Sequence, residues 1–251
     1  MNTSLINIDI DEHLDGETLW SKNKTQNDIT LQRIMDKYPE ILRALIREDA
    51  NYRPYLSVIV FMKGNDNLNN FYKNISTQRF SEFELIIINS GSPIENSKVL
   101  KQFPFINYPG ASVDEAFSLG LQKAKGEYIL FKDMKSTFKP EALEIIAQIA
   151  NGSQAEAIHF TGHDDPSNNF ISDDVFNCGA NSPILFNDLK QRLAMLWLEN
   201  KLSKRLDTKI FRREFLIKHE INFDKGSSEF MFQALLAAER YLFVPQSFSK
   251  G

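Results

Sequence analysis

The sequence predicts an α/β fold: an open, mostly parallel twisted sheet flanked by helices. Solid apolar runs, rich in β-branched residues, recur at LSVIVFM (56–62), ELIIINSGSP (84–93) and EYILFKDM (127–134). A strand buried on both faces reads as such a run, and two-sided burial belongs to parallel sheets under helices. Segments of helical period alternate with these runs in the order β-α-β-β-α-β-α, the pattern of an open sheet with crossover helices. A chain of 251 residues suits one large domain, or one domain with a small appendage.

Residues 1–26 are polar without a steady period and read as a leader or loose cap. Over 27–48, Ile29, Leu31, Ile34, Met35, Ile41, Leu42 and Leu45 form a helical face interrupted near Pro39. Residues 1–54 are therefore set apart as a leader and helical extension, and 55–251 as the α/β domain. The first strand leads into a helix at LNNFYKNIST, then into the second strand and its Gly/Ser/Pro turn. PFINYPG (104–110) reads as a third, short strand, and SVDEAFSLGLQKAKG (112–126) as an amphipathic helix closed by Gly126. The fourth strand precedes KPEALEIIAQIANG (139–152), a helix with Pro140 near its start and Asn-Gly at its end. AEAIHFTG (155–162) reads as a strand, 163–187 as turn-rich, and 188–205 and TKIFRREFLIKHE (208–220) as helical. SSEFMFQALLAAER (227–240) is a helix capped by Ser227 or Ser228, and YLFVPQSF (241–248) a last strand.

Composition excludes several classes. A net charge of −4 argues against a nucleic-acid partner, which needs a basic excess. The single cysteine, Cys178, rules out an intrachain disulfide and a cysteine-cluster metal site. No apolar run is long enough to span a membrane, and the acidic start is unlike a secretory signal. A cytoplasmic location is expected, with a peripheral place at the inner membrane face left open. Twenty phenylalanines imply a large aromatic core.

Several segments, in order, resemble family 2 glycosyltransferases. SVIVFMKGN (57–65) stands where the family has S-V-I-I-P-x-Y-N, and STQRFSEFELIIINSGS (76–92) where it has a helix end and a strand closing in D-D-G-S. GASVDEAFSLGLQKAKGEYILFKD (110–133) resembles G-x-S-x-A-R-N-x-G-L-x-x-A-x-G-E-Y-I-x-F-x-D, the most specific stretch. LDTKIFRREFL (206–216) resembles the late K-x-F-R-R-x-x-L segment, and 220–245 the part holding an E-D pair. The match runs from about residue 55 to 245 and implies a GT-A fold. It also implies sugar transfer from a nucleotide donor, with a UDP-sugar first in line, to a surface glycan or glycoconjugate.

The resemblance places Phe61, Lys63, Asn89, Ser90, Asp133 and Lys135 at the nucleotide sugar and Glu229 at the position of the general base. The family pattern is altered there. Its D-x-D is Asp133-Met134-Lys135, its D-D before G-S is Asn89-Ser90, and its E-D pair is Ser228-Glu229. No cofactor is assigned; Mg or Mn stays open, although the usual ligand position is Lys135. An aspartate plus Mg²⁺ presents a formal +1 to a pyrophosphate, and a lysine presents +1 alone. A cation about 4 Å from a phosphate oxygen is worth roughly 4 kcal/mol at an effective dielectric near 20, before desolvation.

Plain structural accounts stand beside each role. Lys135 also reads as a solvated loop lysine, Glu229 as a first-turn helix carboxylate, and Asn89, Ser90 and Asp133 as turn formers. His163, Asp164, Asp165, Asp173 and Asp174 read as a polar loop, and Lys209, Arg212 and Arg213 as a solvated helix face. Two function classes therefore remain. One is an active transferase with Glu229 as base. The other is a GT-A module without catalysis that binds another glycosyltransferase or a different protein. A piece of a longer transferase is a third account.

Overall fold

A computed structural model of the chain describes residues 53–64, 68–94, 104–161, 184–185, 197, 203–244 and 246–250. The chain divides into two units, Met1–Asp49 and Ala50–Gly251, and all described residues belong to the second. The helical face at 27–48, the carboxylates of the 163–174 loop, Cys178 and most of the helix expected at 188–205 lie outside them.

The three solid apolar runs become β1 (Leu56–Met62), β2 (Phe83–Asn89) and β4 (Tyr128–Asp133). β1 pairs in parallel with β2 on one side and with β4 on the other. β3 (Phe105–Asn107) extends the sheet beyond β2, also in parallel. Beyond β4 lie β8 (Lys209–Arg212), β6 (Ala157–Phe160), β9 (Arg240–Val244) and β7 (Ile184–Leu185). The sheet order is β3-β2-β1-β4-β8-β6-β9-β7. β8 runs against both neighbours and β7 against β9; every other pairing is parallel. A separate two-stranded antiparallel sheet joins β5 (Thr137–Phe138) to β10 (Ser249–Lys250).

Period-two alternation sends each strand's residues to opposite faces, and each face has its own apolar core. Val58, Val60, Leu85, Ile87 and Leu130 meet α1 (Leu68–Ser76) and α3 (Ala142–Ser153). Ile59, Ile86, Ile88, Ile129 and Phe131 meet α2 (Val113–Lys123), α4 (Arg213–Lys218) and α5 (Ser227–Ala237). The second core is the aromatic one. Phe223 and Phe230 stack at 4.2 Å, and Phe131 meets both edge-on at 5.2 and 5.6 Å. Each fully buried side chain of this size contributes about 1.5–3 kcal/mol.

Glycine sets the distance of α2 from the sheet. A Cβ at Gly120 would lie 2.2 Å from Ile59 Cγ2 and 3.1 Å from Ile88 Cδ1. Gly126 does similar work in place of the helix-closing role expected from the sequence. α2 ends with Ala124 as its cap, and a Cβ at Gly126 would sit 2.5 Å from Ser57 Oγ. The Gly126 amide instead donates to Ser57 Oγ at 2.8 Å, and Ser57 donates to Glu84 Oε1 at 2.6 Å.

Other boundaries differ from the sequence expectation. Residues 209–212 are a strand, not part of a helix, because Ile210 and Phe211 are buried on opposite faces between β4 and β6. A short apolar run does not tell these apart by period. Neither Ser227 nor Ser228 caps α5; Gly226 does, at φ 88°. α3 continues through Asn151-Gly152 to Ser153. β5 and β10, two residues each, are too short to leave a period.

Lys132 interrupts the apolar alternation of β4. Its side chain faces the same way as Tyr128 and Leu130, is 1 % exposed, and lies 4.8 Å over the Phe138 ring. Desolvation pushes its pKa down to about 8, with Asp207 and Asp133 pulling against that shift.

Two predictions follow from this packing. Gly120→Val forces α2 off Ile59 and should cost about 1–3 kcal/mol, read from the urea midpoint. The folded state releases the Lys132 proton near pH 8 and the unfolded chain near 10.5. Between these values the unfolded chain binds more protons, so this group's penalty fades as pH rises. Lys132→Met should therefore be the more stable protein near neutral pH. Its advantage over wild type should shrink by on the order of 2 kcal/mol by about pH 10. A constant advantage, or a loss of stability at neutral pH, would contradict this.

Candidate functional site

The parallel register brings the carboxyl ends of β1, β2 and β4 to one edge, where open α/β sheets bind ligands. Phe61 stands between Ile88 of β2 and Asp133 of β4. An open cleft of about 510 Å³ lies there. Phe61 of β1 and Lys63 just after it border it, with Ser90 just after β2, Lys132 and Asp133 of β4, and Lys135 beyond β4. Ser112 and Phe117 close it from α2, and Lys204, Leu206 and Asp207 from the turn ahead of β8. Five of the seven residues expected at the site thus meet in one cleft.

Asn89 is placed differently. It is fully buried, and its side-chain amide donates to the Ser92 carbonyl at 2.9 Å and to Asn107 Oδ1 at 3.0 Å. Its oxygen accepts the Gly91 amide at 3.0 Å. It ties the turn after β2 to β3 and borders the cleft only through its neighbour Ser90. Gly91 lets that turn touch the end of β1, since a Cβ there would fall 2.3 Å from Gly64 Cα.

Glu229 also stands apart from the cleft lining. Its Oε1 accepts Gln233 Nε2 at 2.9 Å within α5. Ser227, two residues earlier, borders the cleft. Its amide donates to Asp114 Oδ1 at 3.0 Å and its hydroxyl donates to the same oxygen. Asp114 lies in the first turn of α2 and so supplies the capping acceptor that Gly226 lacks. α2 itself starts with a reciprocal box: Ser112 Oγ accepts the Glu115 amide, and Glu115 accepts the Ser112 amide at 2.8 Å. The Ser112 amide and hydroxyl, both donating to Glu115 Oε2, hold the Glu115 carboxyl below its ordinary pKa.

Positive charge dominates the lining. Among the described residues of the lining, Lys63, Lys132, Lys135 and Lys204 face two carboxylates, Asp133 and Asp207. Asp207 is held by Arg205 through both oxygens, at 2.9 and 2.6 Å. Asp133 Oδ1 accepts the Lys135 amide at 3.1 Å, leaving its other oxygen for a ligand. The Lys135 side chain is exposed at the rim. A divalent cation needs several oxygen donors. Among the described residues no group of three His, Cys, Asp or Glu side chains gathers.

Lys209, Arg212 and Arg213 do not form the solvated helix face expected of them. Lys209 is buried, and its ammonium donates to the Ser203 and Arg205 carbonyls at 2.9 and 3.0 Å and to Thr208 Oγ1 at 3.2 Å. It holds the turn that carries Lys204 and Asp207 to the cleft. Arg212 pairs with Glu127 at 3.3 Å. Sequence reasoning missed Lys132, Lys204, Asp207 and the Asp114–Ser227 clasp. Only Lys132 left a signal, as the one charge inside YILFK (128–132).

A family model described as glycosyl transferase family 2 matches residues 57–219, more than half of the chain. The chain is 25 % identical to the Escherichia coli (strain K12) protein named uncharacterized glycosyltransferase YibD, over 72 % of this chain and 58 % of YibD. It therefore spans little more than half the length of that relative. Among solved structures it is similar to S. aureus TarS 1–349 in complex with UDP, at TM-score 0.57 and 18 % identity, covering 77 % of this chain and 59 % of that one. The TarS 1–349 complex with UDP-GlcNAc matches at TM-score 0.56 and 18 % identity, over 77 % and 57 %. These likenesses show the GT-A type of fold. No helix among the described residues is long and apolar enough to cross a membrane. On the family match and the fold together, the chain belongs to glycosyl transferase family 2.

Proposed function

We propose that this domain binds a nucleotide sugar, first a UDP-sugar, and transfers its glycosyl group to a glycan or glycoconjugate acceptor without a bound metal. The observation that carries the reading is the excess of lysine over free carboxylate in the cleft at the ends of β1, β2 and β4. A nucleoside diphosphate leaving group needs positive charge, and a metal on paired aspartates is one way to supply it. Here Lys135 stands at the second aspartate position and supplies charge directly. Phe61 and Ser90 border the space for base and ribose, and Asp133 keeps one oxygen for a ribose hydroxyl.

In the transfer, the acceptor oxygen bonds to the anomeric carbon as its bond to the diphosphate oxygen breaks. The electron pair leaves with the nucleoside diphosphate, and the acceptor proton passes to a carboxylate. Glu229 is the proposed base. Glu229 is not among the residues that line the cleft and its Oε1 holds Gln233, so base action asks its side chain to turn toward the acceptor. That requirement favours the second reading, in which the cleft binds a nucleotide sugar and the domain serves a partner protein in the cytoplasm.

Calorimetric titration with UDP and UDP-sugars, with and without chelator, tests the reading. Binding should persist in chelator and weaken by about tenfold in Lys135→Ala, the scale of one partly exposed charge contact. Strict dependence on Mn²⁺ would overturn the lysine role, and no binding of any nucleotide would overturn the donor site. In an acceptor screen, Glu229→Gln should keep UDP binding and lose at least about a hundredfold in transfer rate. Transfer at the wild-type rate in that variant would move the base elsewhere, and no transfer by wild type would favour the binding module.

A further inference from the structure

We propose that Lys132, at the inner wall of the cleft, is the anchor for the ligand's diphosphate, and that Ser136 and Ser249 aim it. The proposal rests on the nucleoside-diphosphate reading of the cleft and assigns a buried group to it.

Lys132 is buried to 1 % exposure and still borders the cleft. Its ammonium donates to Ser136 Oγ at 2.7 Å and to Ser249 Oγ at 3.4 Å. An ammonium has three protons, and among the described residues no further acceptor takes the third. No carboxylate of the described residues pairs with it. The charged groups acting on it are Asp207 and Arg205 from the turn ahead of β8, and Asp133 on its own strand. Among the described side chains, the Phe138 ring of β5, the Ser136 hydroxyl just ahead of β5 and the Ser249 hydroxyl of β10 face it.

A desolvated charge without a directly paired counter-charge is costly, and a chain that needed only packing here would be served better by an apolar residue. The cost is explained if an anion completes the site. A diphosphate oxygen would accept the third proton in a low-dielectric wall, where such a bond is stronger than at the rim. Ser249 enters through the pairing of β10 with β5, so the last described strand is part of the anion site.

The test compares wild type and Lys132→Met by calorimetry against uridine, UDP and inorganic pyrophosphate, with Lys132→Gln as a second variant should the first not fold. Both variants should bind uridine as wild type does. UDP and pyrophosphate should weaken by about tenfold to a hundredfold, the worth of one hydrogen bond to a charged group. The Lys132→Met protein should melt no lower than wild type, which separates lost binding from lost structure. Unchanged UDP and pyrophosphate affinity, or an equal loss for uridine, overturns the anchor while leaving the donor reading intact. Lys132-dependent pyrophosphate binding without UDP binding supports the anchor and removes the donor reading. A wild-type protein that binds neither anion overturns both.

Discussion

Everything in the cleft depends on the two parallel pairings of β1. Ladder hydrogen bonds to β2 on one side and β4 on the other bring Met62 level with Asn89 and Phe61 level with Asp133. Parallel strands end on the same edge, so three loops meet there without any loop reaching far. The pairings last because both faces of these strands are buried, and a slip of one residue would exchange the two cores. The polar contacts around the strands keep the same alignment. Ser57 and Glu84 tie the start of β1 and β2 to the turn at Gly126. Asn89 and the touching Gly64 and Gly91 hold the other end.

The two buried lysines show how one side-chain type does two jobs. Lys209 has three oxygen acceptors, two of them carbonyls of its own turn, and so acts as an internal brace. Lys132 has two hydroxyls, which are weaker acceptors than carboxylates or carbonyls of a fixed turn. The first builds a wall of the cleft. The second faces into that wall with its charge incompletely answered. A buried charge answered by two hydroxyls alone, one of them on the bend after its own strand, is explained by what binds more than by what folds.

Much of this architecture was legible in the sequence because burial on both faces leaves a mark. LSVIVFM and FELIIIN have no polar side to mislead the reader, and their strands fall where the runs fall. The segment 209–212 was not legible, since Lys209-Ile-Phe-Arg212 fits one helical turn as well as one strand. β5 and β10 are two residues long and owe their pairing to neighbours distant in sequence. The cleft lining was legible at strand ends and just beyond them, as at Phe61, Asp133 and Lys135, whose roles toward a ligand belong to the proposal. It was not legible where distant segments converge. Nothing near Asp114 in sequence announces that it meets Ser227. Asn89 is expected at the nucleotide sugar from its place in the family pattern, and its side-chain hydrogen bonds go to the turn after β2 and to β3.

The clasp of Asp114 on the first turn of α5 has a consequence for how the domain handles charge. A helix begins with unpaired amides and a partial positive pole, and many phosphate sites are made from nothing more. In this domain that pole is already discharged by a carboxylate of its own chain. The α5 start borders the cleft but has little potential left to lend. A polyanion in the cleft, as proposed above, would meet the ammonium groups of Lys63, Lys132, Lys135 and Lys204 and not the pole of α5. Under that proposal the charge facing a phosphate is carried by side chains, which substitution can remove one at a time, and not by the α5 backbone, which it cannot.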